Sequence, residues 1–183
     1  MPNRLQNRIA IITGSSSGIG RAIAIAFASE GATIVCADLR PEARPSPSPT
    51  TSTDPPLTTH DLLTHQGSIA IFVTCDTTSS ASIQSLIQTA VSTYGRLDIM
   101  VNNAGICLEG EWEGEKPIWE YEDETFEKTM QVNIKGVFLG TKYASRQMVG
   151  QDAGADGEGG GDKGWIINLS SVFGLVGKGG LGI

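Results

Sequence analysis

A chain of 183 residues is long enough for one domain with a real hydrophobic core and too short for two large ones. Apolar residues at 39% and charged residues at 18% fit a soluble globular protein, and 23 glycines are the compositional outlier. The net charge of −7 repels nucleic acid and anionic lipid alike, so neither is an expected partner.

The opening stretch MPNRLQNRIAIITG has no apolar run ahead of a cleavage site, and no segment is apolar for the length a membrane span needs. A cytoplasmic location is therefore expected. Residues 8–13 (RIAIIT) read as a buried strand. Ile19, Ile23, Ala26 and Phe27 then recur at helical spacing, with Gly31 as a stop. Residues 33–38 (TIVCAD) make a second strand. Residues 41–59, which contain PSPSPTTSTDPP, have no apolar face to bury. They are expected to be a disordered or polyproline-like insertion, with a short helix after it around Leu62 and Leu63. Residues 69–75 (IAIFVTC) give a third strand. Ile83, Leu86, Ile87, Ala90, Val91 and Tyr94 form the clearest amphipathic stripe, closed by Gly95. Residues 97–101 (LDIMV) are a fourth strand, and Phe126, Met130, Ile134, Val137 and Phe138 mark the apolar face of one long helix. Residues 150–164 (GQDAGADGEGGGDKG) read as a flexible Gly/Asp-rich loop entering a fifth strand at 165–169 (WIINL). Strands buried on both faces and separated by helices indicate one α/β domain with a doubly wound parallel sheet.

Three other patterns bear on chemistry. Cys36, Cys75 and Cys107 have no ladder spacing, and the first two fall in predicted strands as buried free thiols. His60 and His65 have no companion ligands, so no metal site is expected. Glu109, Glu111, Glu113, Glu115, Glu120, Glu122, Asp123, Glu124 and Glu127 crowd one segment. They read as a solvated loop feeding acids into a helix N-terminus, with substrate or partner recognition as the alternative.

The first strand runs directly into Thr13-Gly14-Ser15-Ser16-Ser17-Gly18-Ile19-Gly20, which opens the first helix. Glycines at this spacing permit a tight turn and let backbone N–H groups approach a pyrophosphate at the helix N-terminus. Asp38 ends the second strand eighteen residues after Gly20, where a carboxylate accepts from adenosine ribose hydroxyls. It would oppose a 2′-phosphate, so NAD is preferred, with NADP possible because Arg40 is near. Asn102-Asn103-Ala104-Gly105 follows the fourth strand as a backbone-tight turn.

Together with Asn168-Leu169-Ser170-Ser171 after the fifth strand, these motifs resemble the short-chain dehydrogenase/reductase family. The resemblance implies a Rossmann-like sheet of order 3-2-1-4-5, with the fifth strand left as an unpaired edge. It places Gly14, Ser15, Ser17, Gly18, Ile19, Gly20, Asp38, Asp76, Asn103, Ala104, Gly105 and Lys142 at the cofactor, with Asp76 against the adenine. It makes Ser171 the residue that binds the substrate oxygen. Asn133 becomes the amide that holds a relay water and bends its helix. The implied reaction is hydride transfer between a nicotinamide cofactor and a ketone or secondary alcohol, in a family that tends to homo-oligomerise.

The family's proton donor is a Tyr-x-x-x-Lys pair, and this sequence departs from it. Tyr94 is followed four residues on by Asp98, Tyr121 by Thr125 and Tyr143 by Gln147. The expected position falls just past Ile183, as does the helix that usually builds the dimer. The expectation is thus a single, incomplete NAD(P)-binding domain over residues 1–183, truncated before its catalytic pair and inactive or nearly so by itself. The alternatives are a non-catalytic dinucleotide-binding module and a non-functional fragment.

Overall fold

A computed structural model describes residues 3–43, 57–108, 117–152 and 162–172. Most of the expected insertion (44–56), half of the acidic segment (109–116) and most of the Gly/Asp loop (153–161) lie outside the described residues. Five parallel strands form one sheet in the order β3-β2-β1-β4-β5, as the family resemblance implied. They are β1 (Ile9–Thr13), β2 (Thr33–Asp38), β3 (Ala70–Thr74), β4 (Ile99–Asn102) and β5 (Trp165–Asn168). The helices are α1 (Gly18–Ser29), α2 (Thr59–His65), α3 (Ser80–Tyr94), α4 (Asp123–Met130) and α5 (Gly136–Gly150). A π turn over Gln131–Lys135 joins the last two.

Alternation along the strands divides the core in two. Ile9, Ile11, Val35 and Met100 pack against Ile83, Leu86 and Ala90 of α3 and Leu139, Ala144 and Met148 of α5. On the opposite face Ala10, Ile12, Ile34, Cys36, Ile99 and Val101 meet Ala24 and Ala28 of α1 and Leu63 of α2. Cys36 and Cys75 are buried free thiols, although Cys75 follows β3 rather than lying in it. Burial pushes the Cys36 thiol up to about 12, against a hydrogen bond from Ser15 and the charge of Arg21. Burial also raises Cys75, so neither thiol is reactive at neutral pH.

Three sequence expectations need correction. The stripe expected on α1 is rotated: Ile19 is 66% exposed, and the helix buries Gly20, Arg21, Ala24 and Ala28 instead. Small residues bring α1 close to the sheet, and the larger Ile23 and Phe27 pack only partly. The long helix is interrupted by the π turn, and its expected apolar face is largely outward, with Phe126, Ile134 and Phe138 each about half exposed. What it buries is Gly136, Leu139, Gly140, Ala144 and Met148. A Cβ on Gly140 would sit 2.0 Å from Asn102 Oδ1, so close approach rather than bulk selects that face. Finally, Thr59, placed by the sequence at the end of the insertion, is the buried first residue of α2. In the acidic segment, Asp123 and Glu124 occupy the first turn of α4, where they complement the helix dipole.

At the N-terminal ends of the strands, polar groups close on one another. The buried Asp98 carboxylate accepts from Ile9 N–H at 3.0 Å, Arg96 Nε at 2.9 Å and the Arg8 guanidinium at 3.5 Å. Gln151 spans Leu97 N–H and C=O and reaches the Lys163 carbonyl. The Trp165 ring stacks 5.2 Å from the Arg8 guanidinium carbon.

Candidate functional site

The other end of the sheet, at the strands' C-terminal ends, opens into a cleft of about 320 Å³. Its wall carries Gly14, Ser17, Ile19 and Gly20 from the first turn, Asp38 and Leu39 after β2, and Cys75, Asp76 and Thr77 after β3. Asn103, Ala104, Gly105 and Ile106 after β4, with Val132 of the π turn, complete it. Ligands of open α/β sheets bind at this end, where strand order reverses on either side of β1.

The glycine turn has a steric reason for each end. Gly14 sits at φ +67° and Gly18 at φ +54°, which side chains resist. Gly20 has no such strain, yet a Cβ there would lie 2.2 Å from the Gly14 carbonyl oxygen and 2.5 Å from Asn103 Nδ2. Helix α1 therefore starts pressed against the turn, with Arg21 N–H closing on the Ser17 carbonyl. The N–H groups of Gly18, Ile19 and Gly20 lack intrahelical acceptors, and the Ser17 side chain does not cap them. A diphosphate accepting from those donors fits this corner.

Asn102, the last residue of β4, and Asn103 after it point opposite ways and suture three strand ends. Asn103 Nδ2 donates to the Thr13 carbonyl at 2.8 Å, and the Thr13 hydroxyl accepts from the N–H groups of Asn103 and Ala104 at 3.0 Å each. Asn102 Nδ2 instead donates to Asn168 Oδ1 at 2.8 Å, tying β4 to β5. The tetrad is both a brace for the sheet and part of the cleft wall.

Asp38 lies at the rim with both oxygens engaged: Leu39 N–H donates at 2.8 Å and Ser16 N–H at 3.2 Å. Asp76 accepts from Thr78 N–H at 2.9 Å and from the Thr78 hydroxyl at 2.8 Å. Among the described residues the two carboxylates are fixed by backbone N–H groups and the Thr78 hydroxyl rather than by cations, which leaves them to meet neutral donors such as hydroxyl and amino groups.

The remaining sequence candidates stand outside the cleft wall. Ser15 is fully buried, its hydroxyl donating to the Ala37 carbonyl. Lys142 is exposed on α5, with Nζ near the rings of Phe138 and Tyr143. Asn133 spends both polar atoms on one residue: Oδ1 accepts from Ile106 N–H at 2.9 Å and Nδ2 donates to the Ile106 carbonyl at 2.8 Å. This pair pins the π turn to the loop after β4 and sets Ile106 in the wall. Ser171 is exposed three residues beyond β5, on the segment whose Leu169 N–H donates to the Asn102 carbonyl. Sequence reasoning missed Leu39, Cys75, Thr77, Ile106 and Val132, which carry no motif signal and come to the cleft as neighbours of residues that do. Among the described residues there is no group of three metal-ligating side chains, and no helix is long and apolar enough to cross a membrane.

Comparison with known proteins agrees with this geometry. The sequence profile of the short chain dehydrogenase family matches residues 8–182. An uncharacterized oxidoreductase of Thermotoga maritima is 37% identical over 94% of this chain and 57% of its own length. A mitochondrial borneol dehydrogenase of Lavandula x intermedia is 37% identical over 83% of this chain and 51% of its own. Among solved structures, a short chain dehydrogenase from Mycobacterium smegmatis superposes with a TM-score of 0.76 at 28% identity. It covers 98% of this chain, which spans 64% of that protein. The chain thus matches somewhat more than half the length of these relatives.

Proposed function

The chain belongs to the short-chain dehydrogenase family, and from that premise we propose that its cleft is the NAD(H) site of an oxidoreductase acting on a secondary alcohol or ketone. The observation that carries this reading is the glycine corner, where close packing of Gly20 on the Gly14 carbonyl and Asn103 sets the uncapped start of α1 against the cleft. Gly14, Ser17, Gly18, Ile19 and Gly20 would hold the diphosphate, Asp38 the adenosine ribose and Asp76 the adenine, with Asn103, Ala104 and Gly105 along the nicotinamide half. When bound, the cofactor supplies hydride exchange at its nicotinamide ring. Asp38 opposes a 2′-phosphate, which favours NAD over NADP. The alcohol or ketone class is supported by relatives named as a borneol dehydrogenase and as tropinone reductase-like proteins of Erythroxylum coca.

The chain's own residues divide the remaining work unequally. Ser171, by family likeness, orients the substrate oxygen. Asn133 holds Ile106 and the π turn at the cleft wall, and by family likeness the same residue anchors a relay water. Neither is an acid at neutral pH, and none of Tyr94, Tyr121 and Tyr143 has a lysine four residues on. A positioned general acid is worth roughly 10²–10⁴-fold in rate. The 183 residues are therefore expected to bind NADH while reducing ketones negligibly. The test is NADH fluorescence titration beside a ketone panel on the same preparation. Saturable binding without turnover is expected, and turnover at ordinary dehydrogenase rates would show that another residue donates the proton.

A further inference from the structure

We propose that Thr59, at the start of α2, is a positioning residue for the nucleotide site: its hydroxyl holds the peptide between Ser15 and Ser16 so that Ser16 N–H stays on the Asp38 carboxylate. The inference rests on the reading of Asp38 as the ribose-binding group and goes beyond it, because Thr59 is not part of the cleft wall.

The geometry begins at a buried charge. Arg21 is 3% exposed on a helix face otherwise made of Gly20, Ala24 and Ala28. A guanidinium is costly to bury unless hydrogen-bonded. It donates to the Leu57 carbonyl at 3.1 Å and to Thr59 Oγ1 at 3.2 Å. Thr59, itself 1% exposed, donates its hydroxyl proton to the Ser15 carbonyl at 2.7 Å. With Arg21 occupying an acceptor position on that oxygen, the proton is directed at Ser15.

Ser15 C=O and Ser16 N–H belong to one rigid peptide plane and point in opposite directions. Holding the carbonyl on Thr59 therefore aims the N–H away from it, onto Asp38 Oδ2 at 3.2 Å. The peptide is clamped between a hydroxyl and a carboxylate. Every donor in the series from Arg21 through Thr59 and the peptide to Asp38 points the same way, from cation to anion, so each bond polarises the next. Loss of the Thr59 hydroxyl frees the peptide to rotate and takes one of the two backbone donors from the carboxylate. The helix after the Pro/Ser/Thr-rich stretch thereby governs how the cleft rim presents Asp38 to an adenosine ribose.

Thr59→Val keeps the shape and removes the hydroxyl, and Thr59→Ser keeps the hydroxyl. Calorimetric affinities for NADH and NADPH are compared in the full chain for both variants, for Asp38→Ala and for the Asp38→Ala/Thr59→Val double variant. Thr59→Val is expected to weaken NADH about threefold to tenfold, the scale of one hydrogen bond, with NADPH nearly unchanged. Thr59→Ser should restore the unmodified ratio. In the Asp38→Ala background Thr59→Val should add nothing, because the two act through one peptide. A Thr59→Val protein that binds both cofactors as before, or loses both equally, overturns the proposal, as does an undiminished effect without Asp38. If Asp38→Ala retains the NADH preference, the reading of Asp38 fails, and the inference with it; if Asp38→Ala loses it while Thr59→Val does not, the inference alone fails. Should Thr59→Val not fold, hydrogen exchange in the unmodified protein decides. A slowly exchanging Ser16 amide is expected, and a freely exchanging one overturns the clamp.

Discussion

At the N-terminal ends of β1, β4 and β5, the Asp98 carboxylate takes Ile9 N–H and two guanidinium groups, and Gln151 takes both polar groups of Leu97. At the C-terminal ends of β1, β2 and β4, the side chains of Thr13, Asn103 and Asp38 also bind backbone, but they stop short of the helix N-terminus. Gly18, Ile19 and Gly20 keep N–H groups without intrahelical acceptors, and Ile19 and Gly20 line the cleft. One end of the sheet is closed by side chains, with Arg96 Nη2 left without a hydrogen-bond partner among the described residues, and the other is braced around unpaired backbone donors. Strand twist and parallel pairing are common to both, so the difference lies in what meets the strand ends: large polar side chains fill the first, and a glycine-packed, uncapped helix start borders the second.

The contrast can be broken most forcefully at the closed end. Asp98→Ala leaves Arg8 and Arg96 without their shared carboxylate and Ile9 N–H without an acceptor. Removing one partner of a buried ion pair costs about 3–5 kcal/mol, so a large drop in urea midpoint is expected. NADH affinity of the molecules still folded should be unchanged. A matching loss of affinity would mean that the two ends are not independent.

Gly20→Ala attacks the open end. The new Cβ meets backbone at 2.2 Å, which cannot yield like a flexible side chain. Overpacking of this kind costs about 3 kcal/mol at the upper end of its usual range, and here the strain falls on the glycine turn. NADH binding should be lost in protein that remains folded, reversing the pattern at Asp98. Retained affinity would remove the glycine corner from the site.

A smaller effect sharpens the comparison by pH. The Cys36 thiol sits in the core beneath the cleft end and is raised from 9.0 to about 12 by burial. A folded pKa above the unfolded one gives stability that is complete below the unfolded value and lost as pH rises through the folded one. Thermal stability should therefore be insensitive to this thiol below pH 9.0 and fall between there and about 12. The Cys36→Val variant should show a shallower alkaline decline, and an identical decline would assign the loss to other groups.

Much of the contrast is legible in the sequence, for identifiable reasons. The glycine turn and the asparagine tetrad are readable because backbone geometry demands particular residues at fixed spacing, and the strand order follows from the family resemblance those motifs carry. The faces of α1 and α5 are not readable from hydrophobic periodicity. Arg21 is buried among small residues, and Gly136, Gly140 and Ala144 pack where Phe138 and Ile134 do not. Close approach to the sheet favours small side chains, and a stripe counted by hydrophobicity follows the large ones. Asn133 is marked by its motif, but its engagement of both polar groups of Ile106 depends on a π turn that no local spacing announces. Thr59 is hidden for a different reason. It closes a run of Pro, Ser and Thr that reads as unstructured, and only the fold brings it to Ser15.

The central claim is that the open end is a NAD(H) site whose rim carboxylate, Asp38, discriminates against a 2′-phosphate. Its most direct test is calorimetric titration of the unmodified chain with NADH and with NADPH at one salt concentration, repeated on Asp38→Ser. The account expects saturable NADH binding, tighter than NADPH by about 1–3 kcal/mol, and a gap that narrows in the variant. Absence of NADH binding, or NADPH binding equal to or tighter than NADH in the unmodified chain, would contradict it.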